Sequence, residues 1–108
     1  MRTRFGAHTI TILRPPPADQ FGDPTGPPAE REVSGAFMQP VTTTERLDGR
    51  DTVVSGWQVF LPPSTDIRAT DQVRWRDDLY EVDGDPQPQD DLAGRTRHLE
   101  VRLRRVTG

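Results

Sequence analysis

The sequence predicts an all-β fold, a small antiparallel barrel or sandwich of about six strands, on the strength of three observations. Short segments with alternating apolar and polar residues recur along the chain, as expected for half-buried strands. No segment repeats its apolar residues at the i, i+3, i+4, i+7 spacing of a substantial helix. Stretches rich in proline and glycine separate the segments, so no helical crossover is available to join parallel strands. The 108 residues are enough for one small domain.

The first predicted strand covers residues 6–14, where His8, Ile10 and Ile12 alternate with threonines. Residues 15–31 follow, and their six prolines and two glycines disfavour both a helix and a central strand. A loop of this length is uncommon in so small a domain and usually acts outside the core. We therefore expect a long, proline-rich excursion over the surface.

The second predicted strand covers residues 32–39 and ends at Pro40. Its alternation predicts one face with Val33, Gly35 and Phe37 and another with Ala36 and Met38. Residues 41–52 are polar and centre on Asp48-Gly49, a dipeptide suited to the positive φ angles of a tight hairpin turn. With no apolar face to anchor it, this segment is expected to be an extended, weakly held hairpin.

The third predicted strand, residues 53–61, is the most hydrophobic segment of the chain. Its inward face is predicted to hold Val53, Ser55, Trp57, Val59 and Leu61. After a connection at 64–71, a hairpin is predicted in which residues 72–76 pair with 79–83 across Asp77-Asp78. Its two arms are expected to bury Val73 and Trp75, and Tyr80 and Val82.

Residues 85–94 are predicted to form another loop, rich in proline and aspartate. The last predicted strand, residues 96–106, alternates most cleanly, with Leu99, Val101 and Leu103 inward and His98, Glu100, Arg102 and Arg104 outward. Hydrophobic residues make up only 31% of the chain, so the core is expected to be thin. Contacts with neighbouring subunits are a plausible source of further stability.

Composition argues against an enzyme. The chain has no cysteine, which excludes disulfides, thiolate metal sites and cysteine catalysis, and no glycine-rich phosphate loop or zinc-binding histidine pair is present. Only His8 and His98 are candidates for acid/base work near neutral pH. We expect both to be structural, one half-buried and one solvated, and we expect no catalytic residue, cofactor or metal.

Membrane insertion and general nucleic-acid binding are also disfavoured. No run of about 18 apolar residues exists, and residues 1–5 do not begin a signal-peptide core. The net charge of −3 and a pI near 5.3 argue against general binding to nucleic acid. Four aspartates, Asp83, Asp85, Asp90 and Asp91, lack the spacing of a calcium-binding loop, so a solvated acidic loop is favoured over a calcium site.

The charges are segregated along the chain. Residues 77–91 hold seven acids and no arginine, whereas residues 95–105 hold five arginines and one acid. Such segregation suits head-to-tail contact between copies, with the acidic loop of one subunit against the basic strand of the next. The alternatives are solvated surfaces or pairing within one subunit. The candidate interface residues are Asp83, Asp85, Asp90, Asp91, Arg95, Arg97, Arg102 and Arg104.

Four segments carry a resemblance to a known family: WQVFLPP at 57–63, IRATDQVRW at 67–75, LYEVDGDP at 79–86 and the final strand HLEVRLRRV. The most specific part is residues 57–86, where a strand and prolines precede Asp-x-Val, a hairpin and Tyr-Glu-Val-x-Gly-x-Pro. On these segments, nearly the whole chain resembles the head-to-tail stopper, or head closure, proteins of long-tailed phages that infect actinobacteria.

The resemblance implies a small β-barrel whose copies form a ring in the virion neck, a hexamer in preference to a dodecamer. The expected partners are a portal or adaptor ring on the head side and a tail terminator or tail tube on the tail side. Packaged DNA would pass through the channel without sequence-specific binding, and the protein would be made in the host cytoplasm. The loop that projects into the channel in related stoppers corresponds to residues 41–52 here, with gating residues Thr42, Thr43, Thr44, Glu45, Arg46, Leu47, Asp48, Gly49, Arg50 and Asp51.

Other functions remain open from the sequence. A plain surface hairpin is the alternative reading of residues 41–52, and a role as a tail terminator is a close rival to the stopper. An adaptor is disfavoured because adaptors are generally helical. A hypothesis of a different class is a monomeric β-barrel that binds a small ligand or peptide in a cleft around Trp57, Trp75 and Tyr80, although these aromatic residues are more simply core residues. Residues 15–31 would serve a ring as an arm that docks on a neighbouring ring.

Overall fold

The computed structural model describes residues 6–106, and these residues form seven β-strands and no helix. The strands are β1 (His8–Arg14), β2 (Ala29–Leu47), β3 (Arg50–Leu61), β4 (Gln72–Trp75), β5 (Asp78–Val82), β6 (Gln87–Asp90) and β7 (Thr96–Arg105). Every pairing between them is antiparallel. The predicted all-β antiparallel fold is confirmed.

Six of the strands close into a barrel. They follow the order β3-β2-β1-β4-β5-β7, and β7 also pairs with β3, so the sheet returns to its starting strand. The seventh strand, β6, lies along the same edge of β7 as β5: β5 pairs with residues 103–105 and β6 with residues 96–100. The sequence predicted a loop at 85–94, which is wrong for residues 87–90. Pro88 is tolerated there because β6 is an edge strand.

The barrel interior is filled by the side chains that alternate inward along the strands. Those of β3, β4, β5 and β7 follow the predicted faces, while Val53 and Ser55 lie outside the barrel and are exposed. Ile67, from the connection between β3 and β4, is also buried against the core. The buried cluster consists of Ile10, Ile12, Ala36, Met38, Val59, Leu61, Ile67, Val73, Trp75, Tyr80, Val82, Val101 and Leu103.

A β-bulge at Gly35 changes the face of β2 partway along the strand. His8 pairs with Ala36 and Thr9 pairs with Ser34, so Gly35 is an extra residue on β2, and its φ of 79° is a conformation that glycine adopts readily. Val33 therefore packs against the core like Ala36, whereas Phe37 points outward and is 43% exposed. The predicted shared face of Val33 and Phe37 is wrong because strict alternation does not survive a bulge.

The hairpin between β4 and β5 turns one residue earlier than the sequence predicted. Trp75 pairs with Asp78, so the two-residue loop is Arg76-Asp77, with φ angles of 50° and 67°. These positive angles suit the twist of a two-residue hairpin, but they strain the backbone of residues that, unlike glycine, carry a side chain. The Arg76 guanidinium lies 4.3 Å from the centre of the Trp75 ring, a cation–π contact that favours the observed turn.

The antiparallel order gives the barrel two chemically different ends. At one end, here called the arm end, lie the connection of residues 15–28 after β1, the connection of residues 62–71 after β3, and the loops that flank β6. At the opposite end, the hairpin end, lie the β2–β3 hairpin and the tight β4–β5 turn.

The strained β4–β5 turn predicts a stabilising substitution. Asp77→Gly should raise the free energy of unfolding by about 0.5–1 kcal/mol, because glycine adopts the φ of 67° without strain. Asp77→Ala is the matched control, since it also removes the carboxylate but cannot relieve the strain. Urea unfolding of the three proteins measures the difference. A glycine variant no more stable than the alanine variant would contradict the assigned turn.

Candidate functional site

The β2–β3 hairpin extends well beyond the barrel. The two strands pair continuously from Phe37 opposite Phe60 to Leu47 opposite Arg50. Their barrel neighbours end earlier, because β1 reaches only Ala36 and β7 reaches only Trp57. Within residues 6–106, residues 42–55, here called the projecting hairpin, therefore have no strand beside them other than each other.

The tip of the projecting hairpin is a tight two-residue turn. Asp48 has a φ of 51° and Gly49 a φ of 77°, the pair of positive angles that the sequence predicted for this dipeptide. Residues 41–52 form the extended hairpin that the sequence suggested, but the predicted end of the second strand at Pro40 is wrong, because the ladder continues through Pro40 up to the turn. Each strand supplies hydrogen-bonding partners for the facing edge of the other.

The described side chains of the projecting hairpin are exposed, and most of them are polar. Thr42, Thr44 and Arg46 lie opposite Ser55, Val53 and Asp51 on one face, and Val53 is 65% exposed. Arg46 and Asp51 are directly opposed, a favourable cross-strand pair of charges. Among the other predicted gating residues, Glu45, Asp48, Gly49 and Arg50 are exposed, while the side chains of Thr43 and Leu47 lie outside what the structure describes.

The base of the projecting hairpin lies close to β7. A Cβ atom on Gly56 would lie 3.2 Å from the Leu103 carbonyl oxygen, so only glycine allows this approach without local displacement. Glu45 from the hairpin, together with Arg102 and Arg104 from β7, lines a depression of about 90 Å³. The hairpin is therefore inclined toward the side of the barrel that carries β7.

Most of the candidate interface charges are paired within the subunit. The Asp91 carboxylate lies 2.8 Å from Nε of Arg97 and 3.8 Å from Nε of Arg95. Asp90 accepts a hydrogen bond of 2.7 Å from the Thr96 hydroxyl. For Asp91, Arg95 and Arg97, the structure agrees with the alternative in which opposite charges pair within one subunit.

A second group of paired charges joins β5 to β7. Arg104 donates to Glu81 at 2.7 Å and Arg105 donates to Asp78 at 2.8 Å. The hydrogen bond to Glu81 and its negative charge raise the pKa of Arg104 above its ordinary value. The antiparallel register places Glu81 directly opposite Arg104, so residues that are far apart in sequence are neighbours in space.

Three candidate interface residues remain available for contacts with other molecules. Asp83, Asp85 and Arg102 are exposed, and within residues 6–106 their side chains make no ion pair. A main-chain hydrogen bond joins Asp83 and Arg102, since the Asp83 amide donates to the Arg102 carbonyl at 2.8 Å. A pair of opposite charges is thus presented side by side on the surface.

Both histidines lie against aromatic rings. The Met38 amide donates to Nδ1 of His8 at 2.9 Å, and the His8 ring stacks on Phe37 with centroids 5.5 Å apart. His98 lies 5.5 Å from the Phe60 ring and 3.6 Å from the Glu100 carboxylate. The expectation of a half-buried His8 is confirmed, but His98 is half-buried as well, because it packs on Phe60.

Trp57, Trp75 and Tyr80 form an edge-to-face cluster in the barrel. The ring centroids are 5.2 Å apart between the two tryptophans and 6.3 Å apart between Trp57 and Tyr80. Trp75 and Tyr80 are buried and Trp57 packs against the core, as the simpler sequence reading predicted. Burial raises the pKa of the Tyr80 phenol.

Residues 6–106 contain no group of three or more histidines and acids arranged to hold a metal ion. The four aspartates from 83 to 91 accordingly do not form such a cluster. In the same part of the chain there is no helix with the length and apolarity needed to cross a bilayer. The expectation that residues 1–5 do not begin a signal-peptide core concerns a segment outside the described residues.

The arm end contains a buried ion pair that the sequence did not predict. The Asp71 side chain is fully buried and accepts hydrogen bonds from Nε and Nη2 of Arg14, at 3.1 and 3.0 Å, and from the Arg68 amide at 2.9 Å. The hydrogen bonds to Asp71 and Asp66 raise the pKa of Arg14 above its already high value. Alternation of apolar residues carries no signal for this pair, because Asp71 lies in a connection between strands.

The same arginine holds a second, exposed carboxylate. Asp66 accepts two hydrogen bonds from Arg14, at 3.0 and 3.1 Å. Arg31 also donates to Asp66, both to the carboxylate and to the main-chain carbonyl oxygen. The hydrogen bonds from Arg14 lower the pKa of Asp66 to about 2. The connection of residues 62–71 is thereby fixed across the arm end.

The proline-rich excursion is an ordered arm. Asp19 accepts hydrogen bonds from the amides of Phe21 and Asp23, and Gly22, with a φ of 83°, completes a tight loop. Phe21 lies in this loop and is 78% exposed. Residues 15–28 form the predicted surface excursion, and its hydrogen bonds show that the proline content does not leave it structureless. The prediction is wrong for residues 29–31, which belong to β2 and pair with β1.

The loop between β6 and β7 repeats this hydrogen-bonding pattern. Asp91 accepts from the amides of Ala93 and Arg95, two and four residues later, as Asp19 does, and Gly94 has a φ of 81°. Leu92 in this second loop is fully exposed. The arm end therefore carries two Asp-x-x-Gly-x loops, each with an exposed apolar side chain.

A groove of about 370 Å³ lies between the arm and the barrel. One wall of the groove consists of Ala69, Thr70, the start of β4 and the end of β5. Four prolines of the arm form the other wall. The lining residues from the arm are Pro15, Pro16, Pro24, Gly26 and Pro28. Like the ion pair, this groove depends on contacts between distant segments, which the sequence pattern did not reveal.

Comparison with known proteins gives little direct guidance. No family model matches the chain, and no curated protein matches it. Among solved structures, the chain is similar to the phage-like element PBSX protein xkdH from Bacillus subtilis, with 21% identity and a TM-score of 0.48. The similarity covers 91% of this chain and 92% of that one. The stopper assignment remains a prediction.

Removal of the buried carboxylate should strongly destabilise the fold. Asp71→Ala leaves part of the Arg14 guanidinium and the Arg68 amide without their buried acceptor, so the free energy of unfolding should fall by about 3 kcal/mol. Asp66→Ala is the matched control, because it removes an exposed carboxylate from the same arginine and should have a much smaller effect. Thermal and urea unfolding measure both. Equal losses would contradict the central role of Asp71.

The low pKa of Asp66 predicts part of the acid sensitivity of the fold. Because the pKa is lower in the folded state, the Asp66 contribution is complete above about pH 4, the ordinary range for aspartate. It is lost as the pH falls toward the folded value of about 2. Asp66→Asn should therefore reduce the loss of stability between pH 5 and pH 3, as measured by urea midpoints. An unchanged slope in that range would contradict the assigned pKa.

Proposed function

We propose that the protein is a ring-forming structural protein of the phage neck, a head-to-tail stopper that joins the DNA-filled head to the tail. The resemblance in residues 57–86 suggests the family, and the observation that carries the proposal is the projecting hairpin. A barrel of this size has no structural need for a two-stranded extension that adds none of the described side chains to the core. The extension is therefore best explained by a role outside the subunit.

The projecting hairpin has the properties that a channel element requires. Its ladder pairs the backbone groups on the facing edges of the two strands up to the turn, so the hairpin can keep its shape while it extends away from the barrel. An isolated two-stranded hairpin is only marginally stable in water, and neighbouring hairpins around a channel would supply the missing contacts. In the ring, the hairpins of all copies converge near the axis and retain the packaged DNA until ejection.

The charge of the hairpin suits passage of DNA. Three acids, Glu45, Asp48 and Asp51, outnumber Arg46 and Arg50, which gives residues 42–52 a net charge of −1. Binding to phosphate depends on a surplus of positive charge, so this segment blocks the channel sterically without holding the DNA backbone. DNA can then slide through once the hairpins move aside.

The continuous ladder changes the proposed gating movement. A loosely held loop would refold residue by residue, whereas a paired hairpin moves as one unit about its base. Gly56 lies at this base, where a side chain would press against the Leu103 carbonyl. A retracted and an extended state of the gate would therefore differ mainly in the angle between the hairpin and the barrel.

Ring contacts in this proposal use Asp83, Asp85 and Arg102, the candidate interface charges without an ion pair in residues 6–106. The ring is a hexamer in preference to a dodecamer. The head-side partner is the portal or adaptor ring, and the tail-side partner is the tail terminator or tail tube. Mutation of these rim charges should affect the rate and salt dependence of assembly more than the fold.

The gate is tested by a shortened hairpin. Removal of residues 43–46 and 51–54 joins Thr42 to Leu47 and Arg50 to Ser55, so the Asp48-Gly49 turn is kept. Each strand loses an even number of residues, which preserves the alternation of its side chains between the two faces. Phages that carry this variant should assemble and fill their heads but release DNA prematurely. The DNA content of purified particles and their infectivity measure the effect.

The matched control exchanges the opposed charges of the hairpin. Arg46→Asp combined with Asp51→Arg keeps the length, the net charge and the cross-strand pair, and particles should retain their DNA. Labelling of particles with an antibody to the protein should mark the neck. Normal DNA retention by the shortened hairpin would remove it from the mechanism, and a monomer absent from particles would overturn the stopper function itself.

A further inference from the structure

Phe21 is an exposed aromatic side chain on a loop that is already ordered. The Asp19 carboxylate accepts from the Phe21 amide at 2.8 Å and from the Asp23 amide at 2.9 Å. The main chains of Asp19 and Asp23 are also joined, at 2.7 Å, and Thr25 donates to the Pro17 carbonyl at the foot of the loop. Because the loop is held in one shape, little conformational entropy remains to be lost when Phe21 is buried by a partner.

The groove beside the arm is a matching receptor for such a side chain. Its volume of about 370 Å³ accommodates an aromatic ring, and the rings of Pro15, Pro16, Pro24 and Pro28 give it an apolar wall. Proline has no rotatable side chain to order, so this wall is rigid before anything binds. Phe21 of the same chain does not fill the groove, since 78% of its surface is exposed.

The charges around the two surfaces are complementary. Asp23 follows Phe21 closely, and its side chain is exposed and makes no ion pair within the described part of the chain. Arg68 immediately precedes the groove residues Ala69 and Thr70, and its exposed guanidinium is likewise without an acidic partner in residues 6–106. An acid beside the aromatic side chain can thus meet an arginine at the edge of the groove.

We propose that Phe21 of one copy inserts into the proline-lined groove of a second copy, with Asp23 of the first against Arg68 of the second. A side chain on one molecule that fits a pocket at a different place on the next is a heterologous contact, the kind from which rings are built. This contact rests on the proposed assembly of copies into a ring, and it names the surfaces that join them. Buried aromatic anchors of this kind carry much of the binding energy of interfaces.

The absence of cysteine from the chain allows a direct test. Gln20→Cys places a thiol beside Phe21 without removing it, and Thr70→Cys places one in the groove wall. The two single variants, distinguished by tags of different length, are mixed and oxidised, and the product is analysed on non-reducing gels. Any disulfide between the two tagged species is intermolecular. A mixture of Gln20→Cys with Thr52→Cys, in the exposed projecting hairpin, is the matched control.

The expected result is a mixed disulfide for the groove pair and only background for the control pair. Adding Phe21→Ala to the Gln20→Cys chain should reduce the yield about tenfold, as for loss of an interface anchor, and Phe21→Leu should restore part of it. Phe21→Ala should leave the unfolding temperature unchanged because the side chain is exposed. Asp23→Arg should weaken the cross-link, and Arg68→Asp in the groove partner should restore it.

Two results would overturn the inference: a groove pair that cross-links no faster than the control, or a yield that is insensitive to Phe21→Ala. The outcome is separable from that of the stopper proposal. Rings seen by electron microscopy without the Phe21-dependent cross-link would leave the stopper and remove this contact. A Phe21-dependent cross-link in a protein that is absent from the virion neck would leave the contact and remove the stopper.

Discussion

The structure depends on the pairing of β7 with two strands at once. Its residues 99–103 pair with β3 and its residues 103–105 pair with β5, so one ten-residue strand closes the barrel. Closure lets a chain with few apolar residues enclose its core on all sides and leaves the barrel wall without an open edge. The features that extend from the barrel, the projecting hairpin and the arm, are held in place by this closed body rather than by cores of their own.

The arm end is fixed by electrostatics where the hairpin end is fixed by backbone pairing. Arg14 binds the buried Asp71 and the exposed Asp66, so the end of β1 is tied to the connection between β3 and β4. Ile67, in the same connection, completes the core beneath this ion pair. Since Asp71 also lines the groove, the interaction that stabilises the barrel end also shapes the surface that is available to a second copy.

The sequence predicted the parts of this molecule that depend on local pattern. Alternation correctly identified the inward residues of β7 and of the β4–β5 hairpin, and Asp48-Gly49 correctly marked the tip of the projecting hairpin. Two failures depend on a distant partner: the bulge at Gly35 is visible only against β1, and β6 forms along the part of β7 that β5 does not reach. The β4–β5 turn, one residue earlier than predicted, is a local error of register. The segregated charges left pairing within one subunit open as an alternative, and antiparallel pairing brings Glu81 and Arg104 together in this way.

The two ends of the barrel give the subunit a direction. One end presents two preorganised loops with Phe21 and Leu92 exposed, and the other presents a hairpin whose described side chains are mostly polar. In the proposed assembly, a subunit inserted upside down would bury the charges of the hairpin and leave both apolar side chains in water. The orientation of the subunit in that assembly would then be set by its own two ends.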